Sequence, residues 1–261
     1  MPDLDLTRTG ICCAVAFAAG LIDAMAGGGG ILTIPTIELA FRPSIPEVLG
    51  TNKFVGTSGS STATVRFLLR GKMDRLVAWL GGGMAGIGAV FGAVAVASLG
   101  KIDDRITRPV FGVLLILMAL YMFFKPQFGG ENAWAGPTPR NLAILVSGGL
   151  LIGFYDGFFG PGTGSFLVFV MVRFLRFDFV VGTGNAKAMN FASNITSLAT
   201  FIWKGLVIWP VAIPMGVANA LGSWVGSSIA IAQGARFVRW VFLLAAVAIA
   251  VRMVVGVVLG H

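Results

Sequence analysis

A series of apolar runs of membrane length constrains this chain more than any other feature. Val110 to Phe124, Val211 to Ile231 and Phe237 to Leu259 contain no acidic residue. A hydrocarbon core of roughly 30 Å takes about 20 helical residues to cross, so such runs read as spanning helices. With 56% of its 261 residues hydrophobic and only 11% charged, the chain has lipid rather than water as the solvent for most of its surface. The fold class is therefore all-α, a polytopic transmembrane helix bundle. The first apolar stretch starts at Ile11, meets a glycine cluster and resumes beyond it, so it belongs to the bundle and is not read as a cleaved leader. Cys12 and Cys13 lie side by side within it, where neighbours do not close a normal disulfide, and read as small packing residues.

The bundle is expected to consist of two similar halves. Gly20, Asp23, Gly27 and Gly29 recur 133 positions later as Gly153, Asp156, Gly160 and Gly162. After a slip of one residue, Lys53, Phe67, Gly71, Gly82, Gly88 and Gly92 recur as Lys187, Phe201, Gly205, Gly216, Gly222 and Gly226. The polar, Gly- and Pro-rich stretch between them reads as a linker over 126–139, which leaves 1–125 as the first transmembrane repeat and 140–261 as the second. Each repeat opens with a segment too interrupted to be one straight helix: Ile11 to Phe41 carries Gly27 to Gly30, and Leu142 to Leu175 carries Gly160-Pro161-Gly162-Thr163-Gly164. Glycine entropy and the missing proline N–H both end helices there. The result is a broken or re-entrant segment whose exposed backbone must be buried in protein or line a wet cavity. A re-entrant hairpin leaves three crossings per half and an inverted repeat, the arrangement favoured by the basic residues of the loops, whereas a full crossing leaves four and a parallel repeat.

Charges at membrane depth are costly and are usually kept for a reason. Lys53 and Lys187 occupy equivalent places, within Gly50-Thr51-Asn52-Lys53 and Gly182-Thr183-Gly184-Asn185-Ala186-Lys187. They either snorkel to the headgroups or lean into an interior site. The segments that follow them are rich in small polar residues, including Asn190 and Asn194, and are expected to face the protein interior and each other. Half-helices beginning near Gly29 and Gly30, and near Gly162 and Thr163, present free N–H groups and a positive dipole end. With Lys53, Lys187, Asn52, Asn185 and Asn190 they form the candidate anion site. Asp23 and Asp156 are read either as titrating, coupling groups or as residues that stabilise the turns and counter the lysines.

Gly88 with Gly92, and Gly222 with Gly226, have the spacing of close helix contact, within the chain or between the protomers of a homodimer. The lone histidine, His261, leaves no means of building a His-based hydrolase, haem or zinc site in the membrane, so neither catalysis, a cofactor nor a metal is expected. The net charge of +8 is scattered through short loops, which points to anionic lipid headgroups and not to nucleic acid.

The openings Gly20-Leu-Ile-Asp23-Ala-Met-Ala-Gly27 and Gly153-Phe-Tyr-Asp156-Gly-Phe-Phe-Gly160, with the two Lys motifs that follow them, resemble the sulfite exporter TauE/SafE family, also described as the toluene-sulfonate uptake permease family. The resemblance covers nearly the whole chain. It implies an inner-membrane permease of bacteria or archaea for small sulfur-containing anions such as sulfite, sulfoacetate or other organosulfonates, and it leaves the direction of transport open. Pro161 and Thr163 stand where the first motif has Gly28 and Gly30, so the two half-sites are not chemically identical. A passive anion channel and a non-transporting membrane subunit remain the alternatives.

Overall fold

The computed structural model describes residues 6–99 and 129–258 and is helical, with no strand among the described residues. The expected span Ile106 to Phe124 lies outside them. In chain order the helices are α1 (Leu6–Ala26), α2 (Gly30–Phe41), α3 (Ile45–Leu69), α4 (Gly82–Leu99, entered through a π-turn at Val77–Gly81), α5 (Pro139–Phe158), α6 (Thr163–Arg173), α7 (Phe179–Trp203) and α8 (Trp209–Val258). Helix α8 is broken at Gly234, whose φ of 79° and ψ of −175° are not helical.

Among the described residues, four stretches are long and apolar enough to cross a membrane: Leu6–Ala26, Val77–Ala97, Pro139–Phe158 and Trp209–Leu244. Large apolar side chains such as Trp79, Phe91, Leu151, Val217, Leu221 and Leu244 point outward from them. Helices α3 and α7, each 25 residues long, reach about 37 Å, enough in length for a membrane crossing. Their polarity faces inward, with Thr51, Asn52, Lys53 and Ser60 of α3 and Asn185, Lys187, Asn190, Ser193, Asn194 and Ser197 of α7 all buried. A bundle with polar helices inside and apolar ones outside suits lipid.

The outer helices are clamped by glycines. A Cβ placed on Gly222 or Gly226 would lie 2.0 or 2.2 Å from the carbonyl oxygens of Phe17 and Leu21, so α8 presses directly on α1. On the other flank, Gly88 and Gly92 of α4 meet the Phe17 and Leu21 counterparts, Leu150 and Phe154 of α5, at 2.2 and 2.1 Å. Gly20 against Asn219 and Gly153 against Ala85, both at 2.2 Å, complete the two seams. These glycines are engaged within the chain.

Helices α3 and α7 run antiparallel: Gly50 lies beside Phe201, Gly56 beside Asn194 and Gly184 beside Phe67. Helix α2 doubles back along α1, since Arg8 Nη1 donates to the Ala40 carbonyl at 3.1 Å. Helix α6 does the same along α5, with Val170 against Gly148. Asp74 N reaches Asn185 Oδ1 at 2.8 Å and Ala133 N reaches the Arg176 carbonyl at 2.8 Å. These bonds gather the 70–75 turn, the 129–140 stretch and the 173–179 turn at one end of the bundle. Arg70, Lys72, Arg75, Arg140, Arg173 and Arg176 therefore share that end, while Arg8, Arg42 and Lys204 lie at the other.

Candidate functional site

The site begins with two helix breaks that meet. Helix α1 stops at Ala26 because Gly27 and Gly28 take φ of 82° and 95°, a region that side chains disfavour. Helix α5 stops at Phe158, and Gly160 and Gly162 take φ of 93° and 83° on either side of Pro161. The turns touch: a Cβ on Gly27 would lie 2.2 Å from Ser165 N, and Ser165 Oγ donates to the Ala26 carbonyl at 3.1 Å. The starts of α2 and α6 thus converge on the interior, flanked by α3 and α7.

Both lysines are buried and both are paired across the molecule. Lys53 Nζ lies 3.0 Å from Asp156 Oδ2 and donates to the Asp156 carbonyl at 2.5 Å. Asp156 Oδ2 also accepts from Ser193 Oγ at 2.6 Å. Lys187 Nζ lies 2.8 Å from Asp23 Oδ2 and has no other partner, while Asp23 Oδ1 accepts from Gly29 N at 3.1 Å. Neither lysine snorkels, because each sits inside the bundle at 2% or 0% exposure. Each is neutralised by an aspartate, the counter-charge alternative for Asp23 and Asp156.

Between the breaks lies a cavity of about 30 Å³, room for roughly two waters or a small ion. Asp23, Gly28, Gly29, Gly30, Asn52, Asp156, Gly162, Thr163 and Asn190 line it, together with Thr33, Gly56, Gly160, Gly164, Asn194 and Asn219. Lys53 and Lys187 stand behind the carboxylates and do not form its wall. Asn52 Oδ1 accepts from the Thr33 hydroxyl, and Asn190 Oδ1 accepts from Asn194 Nδ2. Asn219 is anchored by donation to the Ala16 carbonyl at 2.8 Å. No group of three or more metal-binding side chains occurs among the described residues.

Besides the two lysines, Asn185 is the expected site residue that does not line the cavity. Two residues before Lys187, it is rotated about 200° around the helix axis, whereas Asn190 and Asn194, three and seven residues on, share the lysine's face. Asn185 instead receives Asp74 N and anchors the chain before α4, as Thr51 Oγ1 receives Ile208 N at 3.0 Å before α8. Asn219 and Thr33 carry no repeat signal, since Ala85 and Phe166 occupy the equivalent positions, and only the folded arrangement brings them to the cavity.

Comparison with known proteins points to membrane transporters. The family described as "Sulfite exporter TauE/SafE" matches residues 12–253. "Probable membrane transporter protein ORF9" of Sinorhizobium sp. is 36% identical over 253 residues, covering 97% of this chain and 95% of the relative. "Probable membrane transporter protein YfcA" of Escherichia coli is 35% identical, covering 88% and 83%. A "Probable membrane transporter protein" of Haemophilus influenzae is 33% identical, covering 91% of each chain. No solved structure matches.

Proposed function

Because the chain belongs to the sulfite exporter TauE/SafE family, and is thereby an integral membrane protein of a transporter family, we propose that it carries a small sulfur-containing anion across the inner (plasma) membrane of a bacterium or archaeon. Sulfite, sulfoacetate and other organosulfonates form the substrate class. The observation that supports this most is the meeting of two glycine-broken helices around a small interior cavity, with the N-termini of α2 and α6 turned toward it. Helix starts of this kind favour anions.

The two-repeat reading draws support from contacts that recur at the repeat offset. Lys53–Asp156 answers Lys187–Asp23, and the Gly88–Leu150 contact answers Gly222–Phe17. The equivalent helices α3 and α7 run antiparallel, which favours an inverted repeat, with α1–α2 and α5–α6 as re-entrant hairpins. One repeat rocking against the other would then expose the cavity to each side in turn. The end rich in arginine and lysine faces the cytoplasm on this reading. A homodimer loses its main argument, because the glycine faces proposed for it are occupied within the chain.

Flux in proteoliposomes tests the proposal. Saturable sulfite uptake that sulfoacetate inhibits and chloride does not is the expected result. Non-saturating chloride current would favour a channel, and folded protein without flux of any anion would favour a non-transporting subunit.

A further inference from the structure

In the cavity wall, the Asp23 and Asp156 carboxylates are balanced by lysines that lie behind them, so the four side chains sum to zero charge. Net side-chain charge therefore draws nothing in. What the wall offers is unused donors. Asn52 and Asn190 are only 8% and 6% exposed, and in each the amide oxygen is already occupied, by Thr33 and by Asn194. Their Nδ2 groups have no partner among the described residues and stand 3.4 Å from where a Cβ would sit on Gly30 and on Gly164, in the first turns of α2 and α6. The backbone N–H groups of Gly30 and Gly164 also donate to nothing among the described residues. All four donors belong to residues that line the cavity, and a ligand that accepts from them together matches what the described residues leave open.

Resting on the anion-transport reading above, we propose that the cavity takes a small, singly charged oxyanion, a sulfonate or hydrogensulfite head, held by uncharged donors: the Asn52 and Asn190 amides and the N–H groups of Gly30 and Gly164. Lys53 and Lys187 position these donors by tying the two halves together, and do not touch the anion. The cost of burying an ion rises with its charge, and a site of zero net charge has no full countercharge to offset a dianion. The cavity's size selects against bulk.

Calorimetric titration of the purified, detergent-solubilised protein with methanesulfonate, sulfate and toluenesulfonate tests this directly. Methanesulfonate and sulfate have tetrahedral heads of similar size but differ in charge. On the unaltered chain, methanesulfonate should bind at least about tenfold more tightly than sulfate or toluenesulfonate. Asn52→Ala and Asn190→Ala should each weaken it by about tenfold or more. Tighter binding of sulfate, or binding that follows sodium at constant anion, would overturn the proposal. The preference among the three anions needs no variant, so a substitution that fails to fold leaves the test standing. If none of these anions nor sulfite binds the unaltered protein, the anion-transport reading itself fails. If methanesulfonate binds and both asparagine variants bind it equally well, only the assignment of donors fails.

Discussion

The frame of the cavity and its lining obey different rules. The frame recurs in both halves: each lysine reaches an aspartate of the other half, each outer seam closes on glycines, and each break is made by glycines at positive φ. The asparagines of the lining do not recur. Asn52 has Ala186 as its equivalent, Asn190 has Gly56, Asn194 has Ser60 and Asn219 has Ala85. Frame residues must satisfy the same packing on both flanks. Lining residues face a ligand that need not be symmetric, so one half can supply an amide where the other leaves room. Gly56 does so, lying against Asn194.

The sharpest way to break this comparison is to add bulk to a seam. Gly92→Leu and Gly222→Leu would each drive a side chain into a carbonyl that sits 2.1 or 2.0 Å from the first added carbon. Each should cost about 3 kcal/mol or more and abolish recovery of monodisperse protein by size exclusion, with equal severity on both flanks. Next comes the charge pair. Lys53→Ala leaves Asp156 buried and unbalanced, at a cost of about 3–5 kcal/mol in thermal unfolding, and adding Asp156→Ala should restore most of it. Lys187→Ala should cost less, because its partner Asp23 is 13% exposed.

A change to the lining should separate stability from binding. Asn194→Ser makes the position match its equivalent, costs about 1 kcal/mol of stability, and frees the Asn190 oxygen to face the cavity, so anion affinity falls although the protein stays folded. The smallest effects belong to the helix starts. Ser44, whose N and Oγ both reach Glu47 Oε2, begins α3, and its equivalent Asp178, which accepts from Val180 and Val181 N, begins α7. Ser44→Ala and Asp178→Ala should each cost about 1 kcal/mol by thermal unfolding, and neither should alter anion selectivity.

Much of the frame was legible in sequence because it repeats. A lysine found twice at the same offset, or a glycine cluster in the middle of an apolar run, stands out against a lipid-facing background. Asn52 and Asn190 were legible because an amide at membrane depth needs a partner. Thr33 and Asn219 were not, since single polar residues without an equivalent look like ordinary packing. Asn185 misled because proximity in sequence to Lys187 says nothing of its direction around the helix.

Hydropathy, glycine and proline chemistry and spacing are local properties, so a helical, membrane-embedded chain, the places where its helices break and the residues at matching offsets could be read before any fold was known. That Lys53 pairs with Asp156 and Lys187 with Asp23 came from the fold alone. A repeat reveals that two lysines and two aspartates are equivalent, but which lysine meets which aspartate depends on how one half is turned against the other. That orientation is a property of packing between helices far apart in the chain, and here it turns two cations into two neutral pairs, leaving the cavity to its uncharged donors.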